Sequence, residues 1–233
     1  MTKEEFKEFL NKGVVANIFR IERNIGMHRE IAGHAESLGS VEEYKSYNRT
    51  FGLFQQVLYR DVLLLTSILF EKERKYPIRS LPSLLDKIQV SAQDLSPIIE
   101  KVQLRAQLLI RVADEEQVKS LLKGSDSDIT ENLLGLFNDK ISGFQFQDHL
   151  EIIKTARDTR IAHDQIIEIE KWPSFNDVMN VVDYCKWIVG VITCAYLGTI
   201  YAANENYLLS NNAMRAAIDL RNVFEKLGVQ KKW

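Results

Sequence analysis

Apolar residues recur at steps of three and four along most of the chain, the spacing that lines one face of a helix. Phe6, Phe9, Leu10, Val14, Ile18, Ile21 and Ile25 predict a first helix over about 3–38, with Gly13 or Gly26 as the place where it would break. Ser37 to Ser40, with Gly39 between them, reads as a turn. Phe54, Leu58, Val62, Leu65 and Leu69 make one stripe of a second helix over about 46–75, and Val57, Leu64 and Ile68 widen it. A stripe that broad predicts burial on more than one side. Pro77 ends this helix, because the residue before a proline is pushed out of the helical region. Ser80-Leu81-Pro82 opens a short third helix through Leu84, Leu85 and Ile88, and Ser96-Pro97 opens a fourth to about Leu122.

Residues 124–146 have the weakest pattern. Gly124 and the Ser/Asp run after it read as a loop, Leu133 to Phe137 as a short helix and Gly143 as another break, together a flexible connection rather than a domain boundary. A fifth helix is expected over about 147–162, a long sixth from a cap at Ser174 to about Ala203, and a last over about 211–227. The expectation is one all-α domain over 1–233, a bundle of six to seven helices.

Composition narrows this further. Eleven Gly and four Pro are too few turns for an all-β fold, and 45% hydrophobic with 27% charged residues supports a sizeable core. A formal charge of −2 carries no general basic footprint, which argues against non-specific DNA coating but allows an RNA-acting enzyme with a local cationic site. Cys185 and Cys194, nine residues apart on one helix, face opposite ways and cannot bridge, and they lack metal-ligand spacing. They fit a reducing, cytoplasmic compartment. The opening MTKEEFKEFL is too charged for a signal peptide. Residues 187–204 carry no charge, yet they fall short of the roughly 20 apolar residues of a spanning helix and include Thr, Tyr, Gly and Asn. They read as a buried central helix, with a subunit interface or a membrane segment as the other readings.

One stretch reads as a chemical site, RDTRIAHD at 157–164. Lys154, Arg157 and Arg160 follow one another at steps of three along one side of a helix, and His163 and Asp164 come at its end. Guanidinium groups bind phosphate through forked hydrogen bonds, and an imidazole moves protons near neutral pH. Those are the tools for cutting RNA without a metal: a base takes the 2′-hydroxyl proton, the oxygen attacks its own phosphate, and a cation stabilises the added charge. One such set lacks either the acid or the base, and a two-fold dimer would supply the second. On a straight helix Arg157 and His163 stand about 120° apart, so they converge only if the helix ends or distorts near Ile161, or if they meet across a dimer.

Arg157-Asp158-x4-His163 resembles the R-x(4–6)-H motif of the HEPN superfamily, and its local form, with Arg160 and Ala162, is similar to the abortive-infection U-type branch. YRDVLLLTSILFEKE (59–73) and IRSLPSLLDKI (78–88) resemble that branch's second helix and the segment after it, and SFNDVMNVVDYCKWIVGVITCAYLG (174–198) resembles the helix after the motif. The resemblance implies a HEPN-like helical core over about 46–203, a homodimer, and metal-independent RNase activity of phage-defence or toxin type with no cofactor. It also implies a possible nucleotidyltransferase-like antitoxin as partner. His163 would be the acid or base, Arg157 the phosphate binder, Asp158 the orienting group, and Arg160, Lys154 and Trp172 substrate contacts.

Each reading has a plainer rival. Arg23-x4-His28 and Arg29-x4-His34 match the bare motif too, on the first helix, so position and neighbours favour the later match. Arg157 could pair with Asp158, Glu151 or Asp164, and His163 could cap a helix end. His28 and His34 have Glu22, Glu30 and Glu36 near them, but their spacing is poor for a shared metal. His149 reads as a helix-start residue. Tyr59, Arg60 and Asp61 are either supports of the motif or a helix-surface ion pair. Tyr184, Trp187, Tyr196 and Tyr201 belong to packing more readily than to base stacking. The alternative function is a non-catalytic HEPN-like interaction or nucleotide-binding module of a toxin–antitoxin pair.

Overall fold

The computed structural model describes residues 1–40, 42–73, 75–91, 95–97, 101–162, 171–203 and 206–231. Among them the fold is all-α; the only strands are a two-residue antiparallel pair, β1 (Ala202–Ala203) and β2 (Asn206–Tyr207). Among the described residues the helices are cut into eleven α-segments, where six or seven longer helices were expected.

Helix α1 (Lys3–Leu10) starts at a capping box between Thr2 and Glu5 and runs through a π-helical turn, Asn11–Val15, into α2 (Ala16–Ser40). Of the two predicted break points, Gly13 lies in that π-helical turn, whereas α2 runs through Gly26 unbroken. Gly13 permits close packing, since a Cβ there would lie 2.3 Å from the Cβ of Arg79, and Gly26 makes room for Met214. Helix α2 packs along α3 (Lys45–Leu69), which stops at Leu69 rather than near 75. The broad stripe on α3 is not buried on several sides. Val62, Leu63, Leu65 and Leu69 enter the core, whereas Leu53, Phe54, Val57 and Leu64 remain 58%, 53%, 63% and 38% exposed.

Ser80 caps α4 (Leu81–Val90), with Pro82 in its first turn, as the sequence predicts. The expected fourth helix divides into α5 (Lys101–Leu109) and α6 (Glu115–Leu121), because the Asp114 carboxylate accepts from the amides of Glu116 and Gln117 and starts a new helix there. The stretch expected to be a flexible connection is α7 (Asp126–Ser142). Its Ser/Asp run is a capping box, Ser125 with Asp128, and Ile129, Leu133, Leu134, Leu136 and Phe137 are buried. Helix α8 (Phe144–Ala156) turns π-helical over Arg157–Ala162. Helix α9 (Phe175–Ile192) begins at a capping box of Ser174 and Asp177, continues π-helically to Leu197, and ends at left-handed Gly198 (φ 67°). Short α10 (Leu208–Ala213) leads to α11 (Arg215–Lys226).

The helix over Phe175–Leu197 is long and apolar enough to cross a membrane, and 72% of its apolar window is buried inside the fold, as in a central core helix. Val178, Val181, Val182, Ile188 and Ile192 are fully enclosed there. Burial of each such side chain stabilises the fold by roughly 1.5–3 kcal/mol. Cys185 and Cys194 are free and buried. A second, smaller cluster of Ile31, Leu38, Phe224 and Val229 holds α11 on α2. Beside it Arg221 donates Nε and Nη2 to buried Glu30 at 3.0 and 2.9 Å.

Candidate active site

The motif begins where α8 stops being an α-helix. The π-helical turn Arg157–Ala162 has i→i+5 bonding, which alters the rotation per residue. The helix is thus distorted through Ile161, while His163 lies outside the described residues. The run contains no glycine or proline that would explain it.

Arg157 is held from two sides. Its Nε donates to Asp158 Oδ1 at 2.6 Å, and its Nη1 lies 3.7 Å from Glu71 Oε2, with 18% of the side chain exposed. Asp158 was among the partners foreseen from the sequence. Glu71 was not; it stands two residues past the end of α3 and ties that end to the end of α8. The one sequence signal for it is the acidic tail of the 59–73 segment. Lys154, one turn earlier, is half-buried. Burial depresses its pKa, and the neighbouring Arg157 charge adds to this, while Glu71, Asp158 and Glu151 oppose it. Two cations and three carboxylates thus share one corner. The side chain of Arg160, and His163 with Asp164, lie outside the described residues.

Trp172 is 51% exposed in the segment leading into α9. The next residue, Pro173, is buried, and its carbonyl accepts the Tyr59 hydroxyl of α3. Burial, with Asp177 nearby, pushes the Tyr59 phenol up to about 12. Tyr59 therefore supports the loop after the motif, whereas Asp61 faces Arg20 at 3.3 Å and Asn24 at 2.7 Å on α2.

The rival motifs are used in packing. Arg23 donates to Asn24 Oδ1 at 3.3 Å, and His28 packs edge-on against Phe175 at 4.7 Å. His34 is buried, stacked on Phe224 at 4.3 Å, with Nδ1 2.8 Å from the Glu30 carbonyl. Trp187, Tyr196 and Tyr201 bond inward to Gln107, Thr130 and Asn11. His149 is more than a helix-start residue. Its Nδ1 lies 2.8 Å from Asp177 Oδ1, the carboxylate that also caps α9.

An all-α bundle with an Arg-Asp motif at a distorted helix end, ahead of a long central helix, is a HEPN-type protein. The family model described as AbiU2 (HEPN_AbiU2) matches residues 3–217, and the chain belongs to this HEPN-type abortive-infection family. No curated protein and no solved structure matches it.

Proposed function

We propose that the chain is a metal-independent endoribonuclease of phage-defence or toxin type, acting in the cytoplasm as a two-fold dimer. The observation that carries this reading is the π-helical turn that begins at Arg157, which changes the course of the helix at the motif. Arg157 binds the scissile phosphate, Asp158 orients it, and Arg160 assists. His163 takes the proton of the 2′-hydroxyl as that oxygen bonds to phosphorus, and its copy in the second subunit gives a proton to the 5′-oxygen as the bond from phosphorus to it breaks. The exposed apolar face of α3, Leu53, Phe54 and Val57, offers a surface that supports pairing.

A second reading is a non-catalytic binding module paired with a nucleotidyltransferase-like antitoxin. It is favoured by one observation: Asp158 and Glu71 already engage Arg157, so a phosphate must displace a carboxylate. Cleavage of mixed RNA in EDTA by wild type, Arg157→Ala and His163→Ala separates the two. Activity lost in both variants supports the nuclease. Activity equal in all three removes this site, and an inactive wild type favours the module.

A further inference from the structure

Helices α8 and α9 enclose a cleft lined by Arg111, Gln145, His149, Asn180, Asp183 and Tyr184, outside the Arg157 corner. His149 is fixed in it. Asp177 Oδ2 accepts from the Ser174 amide at 2.7 Å and hydroxyl at 2.6 Å, and Oδ1 faces His149 Nδ1 at 2.8 Å. Burial raises the Asp177 pKa, but the Ser174 and His149 hydrogen bonds outweigh it and hold the carboxyl below its ordinary value. An ionised Asp177 only accepts, so Nδ1 carries the proton. The Asn180 amide lies 3.1 Å from Nε2, which fits donation to an imidazole lone pair on the cleft side. His149 is thus held by hydrogen bonds at both ring nitrogens, and the exposed Asn180 amide beside Nε2 lines the cleft.

The rest of the wall suits a flat, polar heterocycle. The Arg111 guanidinium sits over the Tyr184 ring at 5.2 Å, and Phe146 adds an apolar edge. The cleft holds about 250 Å³, less than the roughly 300–1,000 Å³ usual for drug-sized ligands. Its charge disfavours phosphate. Asp183 shares its wall with Arg111, and Asp148 and Glu151 line the groove on the other side of His149, with Lys171 as the one cation there. From His149 to Arg157 is eight residues, about 12 Å along the helix. His149 therefore cannot act on the phosphate that Arg157 holds, but a single strand covers that distance in about three stacked nucleotides.

We propose that this cleft takes an unpaired nucleobase of the RNA strand bound at Arg157, with the Asn180 amide, anchored on His149 Nε2, reading its polar edge and the Arg111–Tyr184 stack flanking its face. Single-stranded RNA is read in this way, by stacking on aromatic and guanidinium planes and by hydrogen bonds to base edges. The proposal rests on the RNA reading above.

The test has two arms on the full chain. In the first, AMP, GMP, CMP, UMP and ribose 5-phosphate are titrated against wild type and Asn180→Ala while the His149 ring resonances are followed by NMR. At least one nucleotide should move them and bind about tenfold more weakly to the variant, the cost of one good hydrogen-bonded contact. Ribose 5-phosphate should move nothing. No response to any nucleotide at millimolar concentration, or an equal response to ribose 5-phosphate, overturns the base site. Asn180 is exposed on a helix, so alanine leaves the fold intact, and a melting curve checks this. In the second arm both proteins cut a randomised RNA, and the variant should change which bases flank the cuts. Arg157-dependent cutting with unchanged flanking bases sinks the base site and leaves the nuclease standing. Nucleotide binding at His149 without any cutting does the reverse.

Discussion

Helix α2 and the end of α8 carry the same kind of Arg–His spacing and use it differently. On α2 both matches lie in unbroken α-helical turns, where residues five apart stand about 140° from each other. Three of their four side chains go to separate neighbours: Arg23 to Asn24, His28 to Phe175, His34 to Phe224 and Glu30. At Arg157 the helix changes its hydrogen bonding, and carboxylates from two elements hold the guanidinium. A sequence spacing therefore carries chemistry only through the backbone beneath it and the partners around it.

The largest effect should come from breaking that difference directly. Arg157→Ala and His163→Ala should each lower RNA cleavage by about 10²–10³-fold, the usual loss of one transition-state or proton-transfer group. Arg23→Ala should leave the rate unchanged in the same assay. Equal losses at Arg23 and Arg157 would erase the distinction.

On the packing side of the comparison, Phe224→Ala removes the ring stacked on His34 and should cost about 3–5 kcal/mol in urea unfolding, as for other buried aromatic residues. Gly13→Ala should cost about 1–3 kcal/mol, because its Cβ would meet the Arg79 Cβ at 2.3 Å and backbone must move. Gly52→Ala on α3, where nothing lies within 4 Å, should instead stabilise by about 0.5–1 kcal/mol.

The smallest effect is a dependence on pH that belongs to the α2 side. Burial holds His28 below its ordinary 6.5, so its contribution is present above that pH and is lost as pH falls through the lower folded value. The Arg221 hydrogen bonds hold Glu30 below 4.5, against the opposing effect of burial, so its share is present above 4.5 and is lost on further acidification. The melting temperature should decline in two stages below pH 6.5, and Glu30→Gln should shrink the lower one, which Asp177 shares. A flat profile from 7.5 to 3.5 would contradict both assignments.

Much of this was legible in the sequence where the signal is local. The caps at Ser80 and Ser174, the central apolar helix and the Arg157 corner follow from neighbours a few residues apart. The Ser/Asp run after Gly124 was misread because those residues serve loops and helix starts alike, and only the burial of Leu133 and Phe137 separates the two. Periodicity marked the apolar face of α3 but does not distinguish a core from a bare surface, so Val57 was placed inside and lies outside. Glu71 and the His149–Asp177 pair were missed because 86 and 28 residues separate them from their partners along the chain.

The clasp between α11 and α2 also has a consequence for the order of events during synthesis. Glu30 and Arg221 are 191 residues apart, and Ser37 donates to the Gln230 carbonyl across 193. The ribosome makes Ile31 and Leu38 long before it makes Phe224 and Val229, the residues that cover them. A nascent chain therefore carries an uncovered apolar strip on α2, open to chaperones and proteases, through most of its elongation. Messages truncated within the α11 coding region would yield chains that fail at this seam, even with the Arg157 corner fully translated.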